Sequence, residues 1–236
     1  MCVVAHPDDE CFAFGGALAL AADAGVETYV VCLTDGQAAS YRGDSSSAEE
    51  LGRMRRAEFV RSCAVLGVSR HEVLDYQDGQ LERADFSLAT RRIVERIREF
   101  RPDVVLTFGA DGGLNTHPDH TMVSSIASAA YHWAGWAKRF PELGVPHGTA
   151  RLFHASTSFF MPERPAPTPA PWTVELDVTG VMARKHDAFC EHTSQAPLMQ
   201  KTKDWFAEFG RAEHYTLMAS ATPGPAVLGT SLFAGL

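Results

Sequence analysis

Residues 5–10 read Ala-His-Pro-Asp-Asp-Glu, and residues 117–120 read His-Pro-Asp-His. Each stretch crowds imidazole and carboxylate groups into a turn stiffened by proline, because Pro7 and Pro118 fix their own φ and restrict the residue before them. Two such turns brought to one place can hold a divalent ion. A catalytic zinc centre takes three protein ligands from His and Asp/Glu and keeps a further position for water. The first turn offers His6, Asp8, Asp9 and Glu10, and the second offers His117, Asp119 and His120. Taken singly, either turn reads equally well as a helix cap with locally satisfied histidines. The pair, each member following a hydrophobic run, points to a metal.

The elements that must position these groups follow from the hydrophobic pattern. Residues 2–5 end a short strand, and 12–24 form a small-residue-rich buried helix closed by Gly25. Residues 28–34 are β-branched and almost continuously apolar, the signature of a strand buried on both faces. The polar stretch 39–47 is a loop, 48–66 a helix ending at Gly67, 72–76 a strand, and 87–100 a helix closed by Arg101-Pro102. A buried strand at 103–108 runs into the second turn, and a helix at 122–136 starts just past it.

In the last third, 152–160 and 173–178 read as strands. They are joined by an extended excursion carrying Pro162, Pro165, Pro167, Pro169 and Pro171. Helices at 181–192 and 199–209 follow. Strand–helix alternation of this kind predicts an α/β, Rossmann-like, doubly wound and mostly parallel sheet with helices on both faces. One domain spans 1–236, its part from about 151 an α+β extension of the same domain. Ligands of such sheets sit outside the carboxyl ends of the strands, which is where both turns fall.

The formal net charge of −8, without a basic stripe, argues against nucleic acid as a partner. No apolar run approaches the roughly 20 residues of a membrane helix. The N-terminal stretch lacks the basic-then-apolar pattern of a secretion signal. Cys2, Cys11, Cys32, Cys63 and Cys190 are scattered and lack a C-x-x-C pair, as expected of reduced thiols. A cytoplasmic protein is expected.

The pattern resembles the zinc-dependent de-N-acetylases of the PIG-L or LmbE-like family, which includes deacetylases of GlcNAc-phosphatidylinositol and of mycothiol and bacillithiol precursors. The resemblance is carried by residues 5–10, Phe-Gly-Gly at 14–16, Leu-Thr-Asp-Gly at 33–36 and Arg55-x-x-Glu58 leading to Leu66-Gly67. It continues through Gly109-x-Asp111-Gly112-Gly113, His-Pro-Asp-His at 117–120 and His192-x-Ser194-Gln195. Spacing alone leaves Asp8 and Asp9 interchangeable. The resemblance implies His6, Asp9 and His120 as metal ligands, Asp8 as general base, His117 as an electrostatic helper, preferably an imidazolium, and Asp119 as the residue orienting His117. It further implies Zn2+ or another divalent ion, and a small N-acetylated amino-sugar conjugate as substrate. Loss of an N-acetyl group by attack of activated water is the implied reaction. The trimers and hexamers common in the family imply a homo-oligomer. The chain departs from the family at Gln37, where Glu often follows the Asp-Gly, and in the loop 39–47.

Three further residues are candidate substrate contacts. Arg55 shares an apolar helix stripe with Leu51, Glu58, Ser62 and Val65, so it either pairs with Glu58 or grips a substrate hydroxyl or phosphate. Asp78 either binds sugar hydroxyls or closes an Asp-Gly turn. His192 either contacts substrate, as the resemblance implies, or serves a helix end.

Three rival readings remain. The first is an amidase removing a larger acyl group from the same amine. The second is a metal-free nucleotide-binding module, which Phe-Gly-Gly at 14–16 supports poorly because it is not G-x-G-x-x-G. The third is a nucleophile-elbow hydrolase built on Asp111, although an elbow passes straight from strand to helix and Leu114 to His117 intervene.

Overall fold

The computed structural model describes residues 1–158 and 170–236. Pro162 to Pro169, and the end of the strand expected to reach Phe160, lie outside the described residues. In chain order the elements are β1 (Cys2–Val4), α1 (Asp9–Phe12), α2 (Gly15–Asp23), β2 (Tyr29–Thr34), α3 (Ala48–Leu66), β3 (Arg70–Tyr76) and α4 (Phe86–Phe100). They continue as β4 (Val104–Phe108), α5 (Pro118–Ala134), β5 (Arg151–Ser156), β6 (Val174–Asp177), α6 (Met182–Cys190), α7 (Ala196–Phe209) and β7 (Ala212–Ser220). The strands form a seven-stranded sheet ordered β3-β2-β1-β4-β5-β7-β6. Pairs β1–β2, β2–β3 and β4–β5 are parallel and β5–β7 is antiparallel. The fold is α/β and mostly parallel, as the strand–helix alternation predicted.

Contacts gather into two compact units. One comprises Cys2–Gln80 and Leu176–Glu213. In it every residue of β1 and β2 is buried, which explains their unbroken apolar runs. Helix α3 starts at Ser47, whose Oγ accepts the Glu50 amide at 3.1 Å, and stops at Gly67 in a left-handed conformation (φ +77°). Helix α2 lacks a local cap. Instead the buried Glu213 carboxylate accepts the amides of Gly16 (2.7 Å) and Ala17 (2.9 Å) and pairs with Lys185 Nζ at 2.6 Å. A distant carboxylate thus takes over the orphan N–H groups that a local Ser or Asp would normally serve.

The other unit comprises Met1, Leu81–Glu175 and His214–Leu236. Helix α4 is capped by Asp85, which accepts the Leu88 amide at 2.7 Å, and it packs on α5. Buried Arg98 donates to the carbonyls of Ala134, Trp136, Arg139 and Phe140, satisfying acceptors at and beyond the carboxyl end of α5. Helix α5 begins at Pro118, inside the second turn rather than at Met122. Proline is well suited to the first helical position, where its missing N–H has no partner to lose. Strand β7 was not anticipated. Its sequence, Ala-Glu-His-Tyr-Thr-Leu-Met-Ala-Ser, mixes polar and apolar residues because much of it is only half-buried, and its pairing with β5 carries an irregularity between Leu152 and Phe153.

His154 on β5 is 6% exposed and its Nε2 lies 2.9 Å from Ser128 Oγ. Burial pulls its pKa from 6.5 down to about 4. The unfolded chain therefore binds a proton between those values that the folded chain rejects, so stability is fully present above about pH 6.5 and declines as pH falls toward 4. The loss amounts to about 3 kcal/mol at most. Urea unfolding of His154→Gln at pH 7 and pH 4.5 should show a shallower acid decline than the parent, by about 2 kcal/mol. Parallel declines would remove His154 as the cause.

Among the described residues no helix is long and apolar enough to cross a membrane. The five cysteines are free thiols, with Cys190 exposed and the others buried.

Candidate metal centre and active site

The first turn leaves β1 and is shaped by its own carboxylates. Asp9 Oδ2 accepts the amides of His6 (2.8 Å) and Ala5 (3.1 Å), folding the side chain back beneath the turn. His6 Nε2 lies 3.0 Å from Asp78 Oδ1, while its Nδ1 lies 3.6 Å from Asp9 Oδ2. The first distance is a hydrogen bond and the second is too long for one. The Asp78 carboxylate therefore holds the proton on Nε2 and leaves the Nδ1 lone pair beside Asp9, the spacing of two ligands on one ion. Asp78 Oδ2 accepts the Ala38 amide at 2.9 Å. Burial pushes the Asp78 carboxyl up, but the hydrogen bond from His6, the Ala38 amide and Arg55 outweigh it and leave it below its usual range.

Asp8 sits at φ +115°, ψ −26°, a left-handed conformation that a residue with a Cβ adopts only under constraint. Two charged side chains constrain it. Arg55 Nη2 donates to Asp8 Oδ2 at 2.9 Å and also to the Pro7 carbonyl, and its Nη1 donates to the Gly36 carbonyl at 3.2 Å. The Asp8 amide donates to Glu10 Oε2 at 2.9 Å. Burial raises the Asp8 carboxyl to about 6, against the lowering effect of the Arg55 guanidinium.

Glu10 is fully buried, and its Oε1 accepts Ser62 Oγ at 2.5 Å and lies 2.7 Å from His192 Nε2. Burial pushes Glu10 up and His192 down, but their mutual charge and hydrogen bond prevail, leaving Glu10 lowered and His192 raised. His192, 0% exposed, is thus placed against Glu10 and not at a surface. Arg55 and Glu58 do not pair with each other. Glu58 accepts Thr193 Oγ1 (2.8 Å), the Ser194 amide (2.8 Å) and Ser194 Oγ (2.7 Å). The roles of Glu10, Glu58 and Ser62 were missed from sequence, although charged residues on an apolar helix stripe were a signal that they have buried partners.

The second turn follows β4. His120 is 3% exposed, stacks on Phe108 (centroids 3.9 Å apart, planes 4° apart), and its Nδ1 lies 3.0 Å from the Gly112 carbonyl. A carbonyl can only accept, so Nδ1 carries the proton and Nε2 presents a lone pair. Gly112 has φ +84°, and a Cβ on Gly113 (φ +68°) would lie 2.5 Å from the Phe108 ring, so both glycines are required by the geometry that holds His120. His117 caps α5, its Nδ1 accepting the Asp119 amide at 3.2 Å. That contact makes Nδ1 an acceptor and leaves Nε2 as the ring donor. The Asp119 carboxylate accepts the Leu81 amide at 3.1 Å, and the Asp119 amide donates to His117. Asp111 bonds the Gly113 amide, and a 3-10 turn (Gly113–Asn115) separates it from α5, so there is no nucleophile elbow.

Within the first unit, Glu10, Cys11 and His192 can each offer one ligand atom, all within 4.8 Å of one another, but the group is fully buried and already internally hydrogen-bonded.

The mostly parallel α/β sheet has strands that lead into two histidine–carboxylate turns. Residues 1–131 match the PIG-L family, described as GlcNAc-PI de-N-acetylase. The chain is 31% identical over 235 residues to a 1D-myo-inositol 2-acetamido-2-deoxy-alpha-D-glucopyranoside deacetylase of Rhodococcus opacus, covering 82% of this chain and 80% of that one. It is 33% identical to a mycothiol S-conjugate amidase of Streptomyces coelicolor, over 64% of this chain and 56% of that one. The fold is similar to that of N,N'-diacetylchitobiose deacetylase from Pyrococcus horikoshii, with TM-score 0.74 and 22% identity over 92% of this chain and 82% of that one. The chain belongs to the PIG-L family.

Proposed function

We propose that this protein is a divalent-metal-dependent de-N-acetylase of a small N-acetylglucosaminyl conjugate, acting in the cytoplasm, with His6, Asp9 and His120 holding the ion. The observation that carries the reading is the pairing in the first turn, where His6 Nδ1 lies 3.6 Å from Asp9 Oδ2 while Asp78 holds His6 Nε2 at 3.0 Å. Two imidazoles and a carboxylate suit zinc, and both imidazoles have their second nitrogen engaged, His6 by Asp78 and His120 by the Gly112 carbonyl. When bound, such an ion lowers the pKa of water and polarises the acyl carbonyl.

The chain's own groups do the rest. Asp8 accepts the proton of the attacking water, and a carboxyl raised to about 6 is well matched to that task near neutral pH. His117 donates its Nε2–H to the oxygen on which negative charge develops. As the carbon–nitrogen bond breaks, Asp8 returns its proton to the departing amine, giving acetate and a free amino sugar. Asp78 serves His6 rather than a sugar hydroxyl, and Arg55 serves Asp8.

The test is free-amine and acetate release from a panel of N-acetylglucosaminyl compounds, with added zinc and with chelator. Stoichiometric acetate and amine, abolished by chelator and restored by zinc, is expected. Turnover indifferent to chelator would overturn the reading. Removal of a larger acyl group from the same amine is a second reading, supported by the likeness to the S-conjugate amidase. It would be distinguished by amine release only from the longer acyl substrates.

A further inference from the structure

We propose that the turn at 192–195 (His-Thr-Ser-Gln) is a positioning device for the proposed base, with His192 acting on Asp8 through Glu10 and never touching substrate. The inference rests on the proposed function in taking Asp8 as the base, but its geometry stands independently.

Asp8 is held at φ +115°, and a strained residue keeps such a conformation only where its surroundings over-determine it. Its amide is held by Glu10 Oε2. That carboxylate is itself fixed from behind, its other oxygen engaged by Ser62 Oγ at 2.5 Å and His192 Nε2 at 2.7 Å. Glu10, Ser62 and His192 are each 0% exposed, so water cannot take the place of a missing partner. Among the described residues the hydrogen bond to Glu10 is the only one made by the His192 ring, since Nδ1 has no partner there. A buried carboxylate deprived of its cationic or donor partner must move or neutralise, and either change releases the Asp8 amide.

The same turn reaches two further elements. Thr193 and Ser194 hold Glu58 of α3, one helical turn from Arg55, which grips Asp8 from the other side. Gln195 Nε2 donates to the Tyr41 carbonyl at 3.2 Å, tethering the loop at 39–47. One short turn thus ties together the backbone behind Asp8, the helix carrying Arg55 and the loop that departs from the family pattern. A role in positioning explains a histidine that belongs to a motif yet is fully buried against Glu10.

The experiment compares His192→Leu with His192→Gln, whose amide nitrogen can occupy the place of Nε2. Zinc stoichiometry, kcat and KM are measured, after chelator-sensitive amine release by the parent has been established. If the parent lacks that release, the proposed function fails and the role of the turn in serving its base falls with it, an outcome distinct from those of the variants. For His192→Leu, kcat should fall about 10- to 100-fold, as small misplacements of a reacting group do, with KM within about 3-fold and zinc unchanged. His192→Gln should recover most of the loss. Parental kcat in His192→Leu, zinc lost together with activity, or equal impairment of the two variants would each overturn the proposal. Should His192→Leu not fold, Ser62→Ala decides: it removes one hydrogen bond from Glu10 and should lower kcat about 3- to 10-fold at constant zinc, whereas unchanged kcat would sink the idea.

Discussion

His120→Ala should purify folded, carry no stoichiometric divalent ion, and turn over at less than about one-thousandth of the parental rate. A three-ligand centre reduced to two ligands no longer fixes its ion, and the chemistry that the ion supplies is lost with it. The ring is held from two sides, by stacking on Phe108 and by the Gly112 carbonyl, so its lone pair is aimed before any ion arrives. Its removal also leaves a buried carbonyl unpaired, at a cost of about 1–3 kcal/mol, which a folded α/β domain can survive. His117→Ala provides the contrast: the ion stays and the rate falls about 10²- to 10³-fold, the usual consequence of losing one donor to a developing oxyanion. Elemental analysis beside steady-state rates separates the two. Full metal and activity in His120→Ala would show that the ligands are wrongly assigned.

Asp8→Asn should keep its zinc and lose about 10²- to 10⁴-fold in kcat, the range expected of a general base. In the parent, kcat/KM should decline as the pH drops below about 6, because the base must be deprotonated and burial raises its carboxyl to that value. A flat profile down to pH 5 would remove Asp8 from that role. Stability supplies an independent check. Asp8→Gly and Asp8→Ala both strip Arg55 of its carboxylate partner, but only glycine accepts φ +115° without strain. Asp8→Gly should therefore unfold later than Asp8→Ala, by about 1 kcal/mol after the greater flexibility of glycine in the unfolded chain is deducted. Equal denaturation midpoints would mean that the turn relaxes when its side chain is cut back.

The elements legible in the sequence are those with a local cause. Helix α3 runs over Ala48–Leu66, the predicted span, because Ser47 caps its start and Gly67 ends it. The buried strands β2 and β4 lie within a residue of their expected limits because unbroken apolar runs suit strands covered on both faces. Helix α5 was placed four residues late because Pro118 was treated as part of the turn, although it opens the helix. Strand β7 escaped notice because its half-buried residues carry neither clean alternation nor an apolar run.

The same division runs through the site. The sequence by itself determined where imidazole and carboxylate groups are concentrated: two proline-stiffened turns, each following a strand. Those features depend on neighbours a few positions apart. Only the tertiary structure decided the partners: Asp78 for His6, Arg55 for Asp8, and His192 for Glu10, the last pair 182 residues apart in the chain. A buried polar group must find a complementary one, and composition shows that such a group needs a partner without showing which one. The choice is made when packing brings distant segments within about 3 Å, where burial makes an unmet hydrogen bond too costly to leave.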